Sequence, residues 1–140
     1  MKSKKLYTIL SWTWGLPMNL IGHITALVLM LMKCKPQKWG GCKYFVIGKN
    51  WGGISLGSIV IVADNPSEYI LNHEFGHSIQ NCYFGFLFPF VVGIPSMIRY
   101  WYRNAIVNFG FKAYTDLVDY YSIWFEKQAS ELGAKSIVNW

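Results

Sequence analysis

Two histidines and a glutamate in Asn72-His73-Glu74-Phe75-Gly76-His77 are the residues of this chain best placed to do chemistry. On a helix, residues four apart share a face, so His73 and His77 can aim their imidazoles at one metal ion. Glu74, one residue on, is placed to take a proton from an attacking water as general base. An H-E-x-x-H motif alone is only moderately specific. Here the chain has three histidines, and two of them fall at ligand spacing around a glutamate.

A catalytic zinc site needs a third protein ligand and an open position for water or substrate. Gln80-Asn81-Cys82-Tyr83 occupies the stretch where a metzincin would carry its third histidine, so the ligand must come from elsewhere. The acids after the motif are Asp116, Asp119, Glu126 and Glu131. Glu126 is the best candidate. Ser130 lies one helical turn beyond it and would offer a ligating histidine a hydrogen-bond partner from the same face. An exposed carboxylate on a helix surface is the competing reading of Glu126.

The elements that must position these groups are legible in outline. Asn65-Pro66-Ser67-Glu68 reads as an N-cap, a proline at the first helical position, and a glutamate three residues after the cap. Leu71, Phe75 and Ile79 then form an apolar stripe at four-residue spacing. The two histidines lie roughly 200° round the helix from it, at about 100° per residue. The stripe can therefore pack on a core while the histidines face a cleft. Residues 43–47 read as a strand, residues 48–53 as a turn and the β-branched residues 54–63 as a second strand, giving a hairpin before the motif helix. The edge at residues 54–58 could bind a substrate backbone by strand addition, with Gly57 either permitting close approach or marking a bulge. Residues 116–140 should form the last helix, carrying Glu126.

The arrangement resembles the gluzincin metallopeptidases, in which H-E-x-x-H is completed by a glutamate from a later E-x-x-x-D helix. More closely, it resembles small bacterial membrane-associated proteins with three shared segments. These correspond to Asn72 through Gln80, to Ile94-Pro95-Ser96-Met97-Ile98-Arg99, and to Trp124-Phe125-Glu126 through Leu132-Gly133. The resemblance covers most of the chain beyond its first ~35 residues. It implies His73, His77 and Glu126 as zinc ligands and Glu74 as catalytic base. Ser130 stands where the E-x-x-x-D pattern has aspartate, which weakens the support a ligating imidazole receives. The implied activity is cleavage of peptide bonds in a peptide or protein substrate.

Composition bounds the setting. Charged residues are only 14% of the chain and apolar ones 53%, against ~25% charged in typical soluble domains. That balance points to contact with lipid or a partner. The net charge of +6 reflects scarce acids, and no basic helix or RNA-binding motif is present, so nucleic acid is not an expected partner. Attraction to anionic headgroups is the simpler use of the lysines. Cys34, Cys42 and Cys82 are odd in number and widely spaced, which favours free thiols in a reducing compartment.

Two units are expected, an N-terminal membrane helix within residues 1–38 and a zincin-like metal-binding domain over residues 39–140. Lys2, Lys4 and Lys5 precede an uncharged run over residues 6–32 containing Trp12 and Trp14, and Lys33, Lys35 and Lys38 close it. Basic flanks, an aromatic belt and an apolar stretch describe a membrane helix. Asn19 and His23 inside it would need partners. From residue 17 to 32 the helix reaches only about 24 Å, so the tryptophan turn would have to contribute. The excess of lysines after the span places the metal domain on the cytoplasmic side. Residues 82–98 are uncharged but broken by Gly85, Pro89, Gly93 and Pro95, which suits a kinked or re-entrant segment. Arg99 to Arg103 form an aromatic-basic cluster suited to a membrane interface. Tyr114, Tyr120 and Tyr121 are available as oxyanion donors.

The expectation is thus a mainly helical, zincin-like α+β domain that acts as a membrane-associated zinc metallopeptidase. The rival readings are a site-2-type intramembrane protease and a non-catalytic membrane protein with a structural or degenerate zinc site.

Overall fold

The structure is a computed structural model and describes residues 1–113, 116–138 and 140. Among these residues the fold is α+β, with five α-helices and a small mixed sheet. The helices are α1 (Lys4–Trp12), α2 (Leu16–Leu31), α3 (Glu68–Phe84), α4 (Ile94–Asn108) and α5 (Trp124–Ile137). The strands are β1 (Gln37–Trp39), β2 (Cys42–Val46), β3 (Gly53–Leu56) and β4 (Ile59–Val62), in the order β1-β2-β4-β3. β4 pairs parallel with β2 and antiparallel with β3, leaving β3 at one edge.

The β-branched run Ile59-Val60-Ile61-Val62 is covered on both faces, as its unbroken apolar character demands. Val60 and Val62 meet Leu71, Phe75 and Ile79, the stripe of α3, together with Tyr7 of α1. Ile59 and Ile61 meet Ala26 and Leu29 of α2, together with Phe45. α3 and α2 therefore sandwich the sheet, and Tyr7 ties α1 to α3 through its hydroxyl, which contacts Ser78 and Cys42.

The hairpin before α3 is not built from the expected strands. The apolar run 54–63 splits at Gly57, whose φ of 66° makes a turn, and the hairpin is β3–β4. The cause is Asn19 of α2. Its side-chain oxygen accepts hydrogen bonds from the Ser58 amide (3.0 Å) and hydroxyl (2.6 Å), and a Cβ on Gly57 would fall 2.5 Å from the Asn19 Cα. Gly57 thus admits α2 instead of a substrate backbone. The start of α3 is corrected too. Ser67 is the N-cap, accepting from the Ile70 amide at 3.2 Å, while Asn65 takes a left-handed φ of 51° before Pro66.

No single helix among the described residues is long and apolar enough to cross a membrane. The tryptophan turn does not extend α2; it bends the chain by 91° between α1 and α2. The side-chain oxygen of Asn19 finds its partners in the β3–β4 turn, and His23 bonds the Asn19 carbonyl at 2.8 Å and packs on Trp12. Residues 85–93 break as expected into a 3-10 turn and a π-helical turn before α4. The last helix is shorter than expected. Asp119 accepts from the Tyr121 amide and starts a 3-10 turn at Tyr120–Ser122, so α5 begins only at Trp124. The three cysteines are unbridged.

Candidate metal centre

α3 carries the two histidines and α5 the glutamate, so the crossing of these helices decides the site. The crossing is unusually close because glycines line it. A Cβ on Gly76 would lie 1.7 Å from the Ala129 carbonyl oxygen, and one on Gly133 would lie 1.7 Å from that of Asn72. Trp39 holds the start of the motif by donating its indole N–H to the Asn72 side chain at 3.0 Å.

At this crossing His73, His77 and Glu126 converge, all buried, with one ligand atom from each within 4.8 Å of the others. Oε2 of Glu126 lies 3.0 Å from His73 Nε2 and 3.1 Å from His77 Nε2. Glu126 is 0% exposed, so it is no surface carboxylate, whereas Asp116, Asp119 and Glu131 are exposed.

The protonation of the imidazoles follows from their outer partners. The Gln80 amide donates to the Phe125 carbonyl (2.8 Å) and to the Gln128 side-chain oxygen (2.9 Å), which turns its own oxygen towards His77 Nδ1 at 2.8 Å. An amide oxygen only accepts, so Nδ1 of His77 carries the proton. Ser130 donates its hydroxyl to the Glu126 carbonyl and therefore accepts from His73 Nδ1 at 2.8 Å. With both Nδ1 atoms protonated, the neutral rings turn Nε2 lone pairs onto a carboxylate oxygen. Three acceptors then face one another, and a single proton can satisfy only two of them. A cation bound by all three satisfies every one. The two imidazole–carboxylate separations, 3.0 and 3.1 Å, approach the roughly 3.3 Å expected between ligands on a tetrahedral zinc with bonds of about 2.0–2.1 Å. The His73, His77 and Glu126 group can therefore hold a metal ion.

Electrostatics agree with an ionised glutamate here. Burial raises the Glu126 pKa, but hydrogen bonds from the imidazoles, whenever a proton in place of a cation sits on Nε2, and from the Ser96 hydroxyl outweigh it and hold the carboxyl well below the usual range. Burial depresses His77, but its contacts with Glu126 and the nearby Glu74 carry it above the ordinary histidine value.

Glu74 points elsewhere. It lines a cavity of about 500 Å³ together with His73, His77 and the edge strand β3. A Cβ on Gly53 would come within 2.9 Å of its Oε1, so the carboxylate lies directly against that strand. Burial raises its pKa, with the two histidines partly opposing the shift. Tyr120 and Tyr121 also line the cavity, and the Tyr121 ring packs edge-on to His73 at 4.8 Å. Burial and the Glu126 charge both raise the Tyr120 phenol. Tyr114 lies outside the described residues.

The arginines of the aromatic-basic cluster turn inward instead of towards headgroups. Arg99 donates to the Asp119 and Tyr120 carbonyls and Arg103 to that of Val118, and both lie over the Tyr120 ring. They pin the segment that leads into α5. Gln80 and Ser96 have roles at the site that residue spacing alone does not assign. No protein-family model, curated protein or solved structure matches this chain.

The Ser130 contact sets up a sharp expectation. Ser130→Asp should tighten metal binding about 10- to 100-fold, because a carboxylate supports a ligating imidazole better than a hydroxyl does. Competition against a chromophoric chelator measures this. Unchanged or weaker affinity would show that residue 130 does not govern His73.

Proposed function

We propose that this protein is a zinc-dependent hydrolase of the metallopeptidase type, with a zincin-like arrangement of His73, His77 and Glu126 around the ion. The observation that carries the reading is the convergence of three lone pairs beside a buried, cavity-facing Glu74. Zinc is the best-suited ion for two imidazoles and a carboxylate, and when bound it supplies a Lewis acid that polarises a carbonyl and acidifies water.

The chain's own residues supply the rest. Glu74 faces the cavity beside both histidines and so is placed to remove a proton from an attacking water. The same carboxyl would then hand that proton to the departing amine. Gln80 and Ser130 hold the histidine Nδ1 atoms and so keep Nε2 aimed inward. Ser96 occupies the second oxygen of Glu126 and fixes its orientation. The free edge of β3 beside Glu74 favours an extended peptide backbone as substrate. The lysine bias and unbridged thiols favour the cytoplasmic face of a membrane. The test is peptide hydrolysis by zinc-loaded protein set against the Glu74→Gln variant, since a purely structural zinc site would leave both inert.

A further inference from the structure

Two helices of this fold carry large apolar faces outward. The inward face of α2 is Asn19, Gly22, Ala26 and Leu29, where a Cβ on Gly22 would strike the Leu56 carbonyl oxygen at 2.0 Å. Its outward face is Leu20, Ile24, Leu27, Val28 and Leu31, all exposed, Leu31 by 77%. α4 goes further and inverts its polarity. Ser96, Arg99 and Arg103 turn inward to hydrogen bonds, while Ile94, Ile98, Trp101 and Tyr102 are exposed. A helix in water places its apolar stripe on the core, so this reversal calls for an apolar medium outside.

The two faces adjoin. Trp14, just before α2, donates its indole N–H to the Tyr83 carbonyl and packs on Phe86, and Met18 of α2 packs beside Phe88 and Val92. Phe86, Leu87 and Phe90, in the turns leading to α4, are exposed as well, Phe90 by 70%. Charge names the partner. The first acid in the chain is Asp64, α4 carries none, and exposed lysines stand at both ends of the α1–α2 unit, at 2, 4 and 5 and at 33, 35 and 38. Such a face complements anionic headgroups over acyl chains.

We infer that α2 and α4 lie in the plane of one leaflet of an anionic bilayer, with both lysine clusters on the same side of the membrane. The 91° bend between α1 and α2 and the absence of a helix able to span, among the described residues, fit this placement. Met97 and Trp101 belong to the exposed surface of α4 and also line the cavity. The cavity mouth therefore opens at the bilayer surface, and its substrate is a polypeptide segment lying at or emerging from that surface. The substrate assignment rests on the hydrolase reading; the placement in the leaflet does not.

The experiment uses the full chain and preformed vesicles of phosphatidylcholine with phosphatidylglycerol, in metal-free and zinc-loaded protein alike. The protein should float with the vesicles and stay bound in high salt, since buried apolar area is not screened. Leu27→Glu and Phe90→Glu, both at exposed sites, should each lower partitioning at least about tenfold, as loss of a buried large apolar side chain implies. Their unfolding midpoints in detergent should match that of the parent. A membrane-impermeant maleimide added outside should label native Cys34 and a Lys5→Cys variant equally. Labelling of only one of the two would mean that the chain spans and would overturn the proposal. So would a soluble dimer that ignores vesicles. Because metal-free protein is included, a chain that binds vesicles but hydrolyses nothing would refute the hydrolase reading while leaving this one standing.

Discussion

Glu74→Gln should keep its metal and lose about 10²- to 10⁴-fold in peptide hydrolysis, the usual worth of a general base. Glutamine preserves the shape that fits against Gly53, so the β3 edge and the cavity should survive the change. It removes the one carboxylate that faces the cavity without belonging to the metal cluster. Zinc content measured on the same preparation separates the roles. A variant that lost metal would make Glu74 a ligand, and one that kept its rate would leave it without a part in the chemistry.

Gly133→Ala should be among the most damaging single substitutions, although it adds only a methyl group. That methyl would sit 1.7 Å from the Asn72 carbonyl oxygen and 3.1 Å from the Gly76 amide nitrogen, both backbone atoms of α3. No side chain can swing aside, so α5 itself must retreat. The cost should reach about 3 kcal/mol, the upper range for overpacking. Glu126 travels with α5, so metal affinity should fall in parallel. Denaturant unfolding of the metal-free protein reads the first effect and chelator competition the second. Gly52→Ala is the control, since nothing lies within 4 Å of a Cβ there. Equal stability of the two variants would mean that the helix crossing is not set by these glycines.

What could be read from the sequence was mostly local. His73 and His77 announce themselves by four-residue spacing, and Ser130 stands in the same relation to Glu126. The Leu71, Phe75 and Ile79 stripe follows from helical periodicity and packs as that periodicity requires. Two of the misreadings share one cause, a partner distant in sequence. Nothing near Gly57 says that Asn19, far back along the chain, will cap a turn there and cut one strand into two. Arg99 and Arg103 sit among aromatics as interface residues do, yet the carbonyls that capture them belong to residues 118–120. Gln80, Ser96 and Gly133 were visible as parts of motifs but had no assigned purpose. Each acts only across the α3–α5 or α4–α5 contact, where Gln80 orients His77, Ser96 holds Glu126, and Gly133 lets the helices meet. The outward apolar face of α2 was legible as lipid-seeking composition. Its geometry was not, although Gly15 at the N-cap of α2 and Pro17 in its first turn mark where the chain breaks.

On the proposed reading, His73, His77 and Glu126 hold one zinc ion. Metal analysis of the purified full chain, alongside single alanine variants of every acid after the motif, tests it most directly. Wild type should carry ~1 zinc per chain, as a single mononuclear site requires. Glu126→Ala should lose it, and Asp116→Ala, Asp119→Ala and Glu131→Ala should keep it. A wild-type chain that takes up no zinc, or an equal loss across all four variants, would contradict the account.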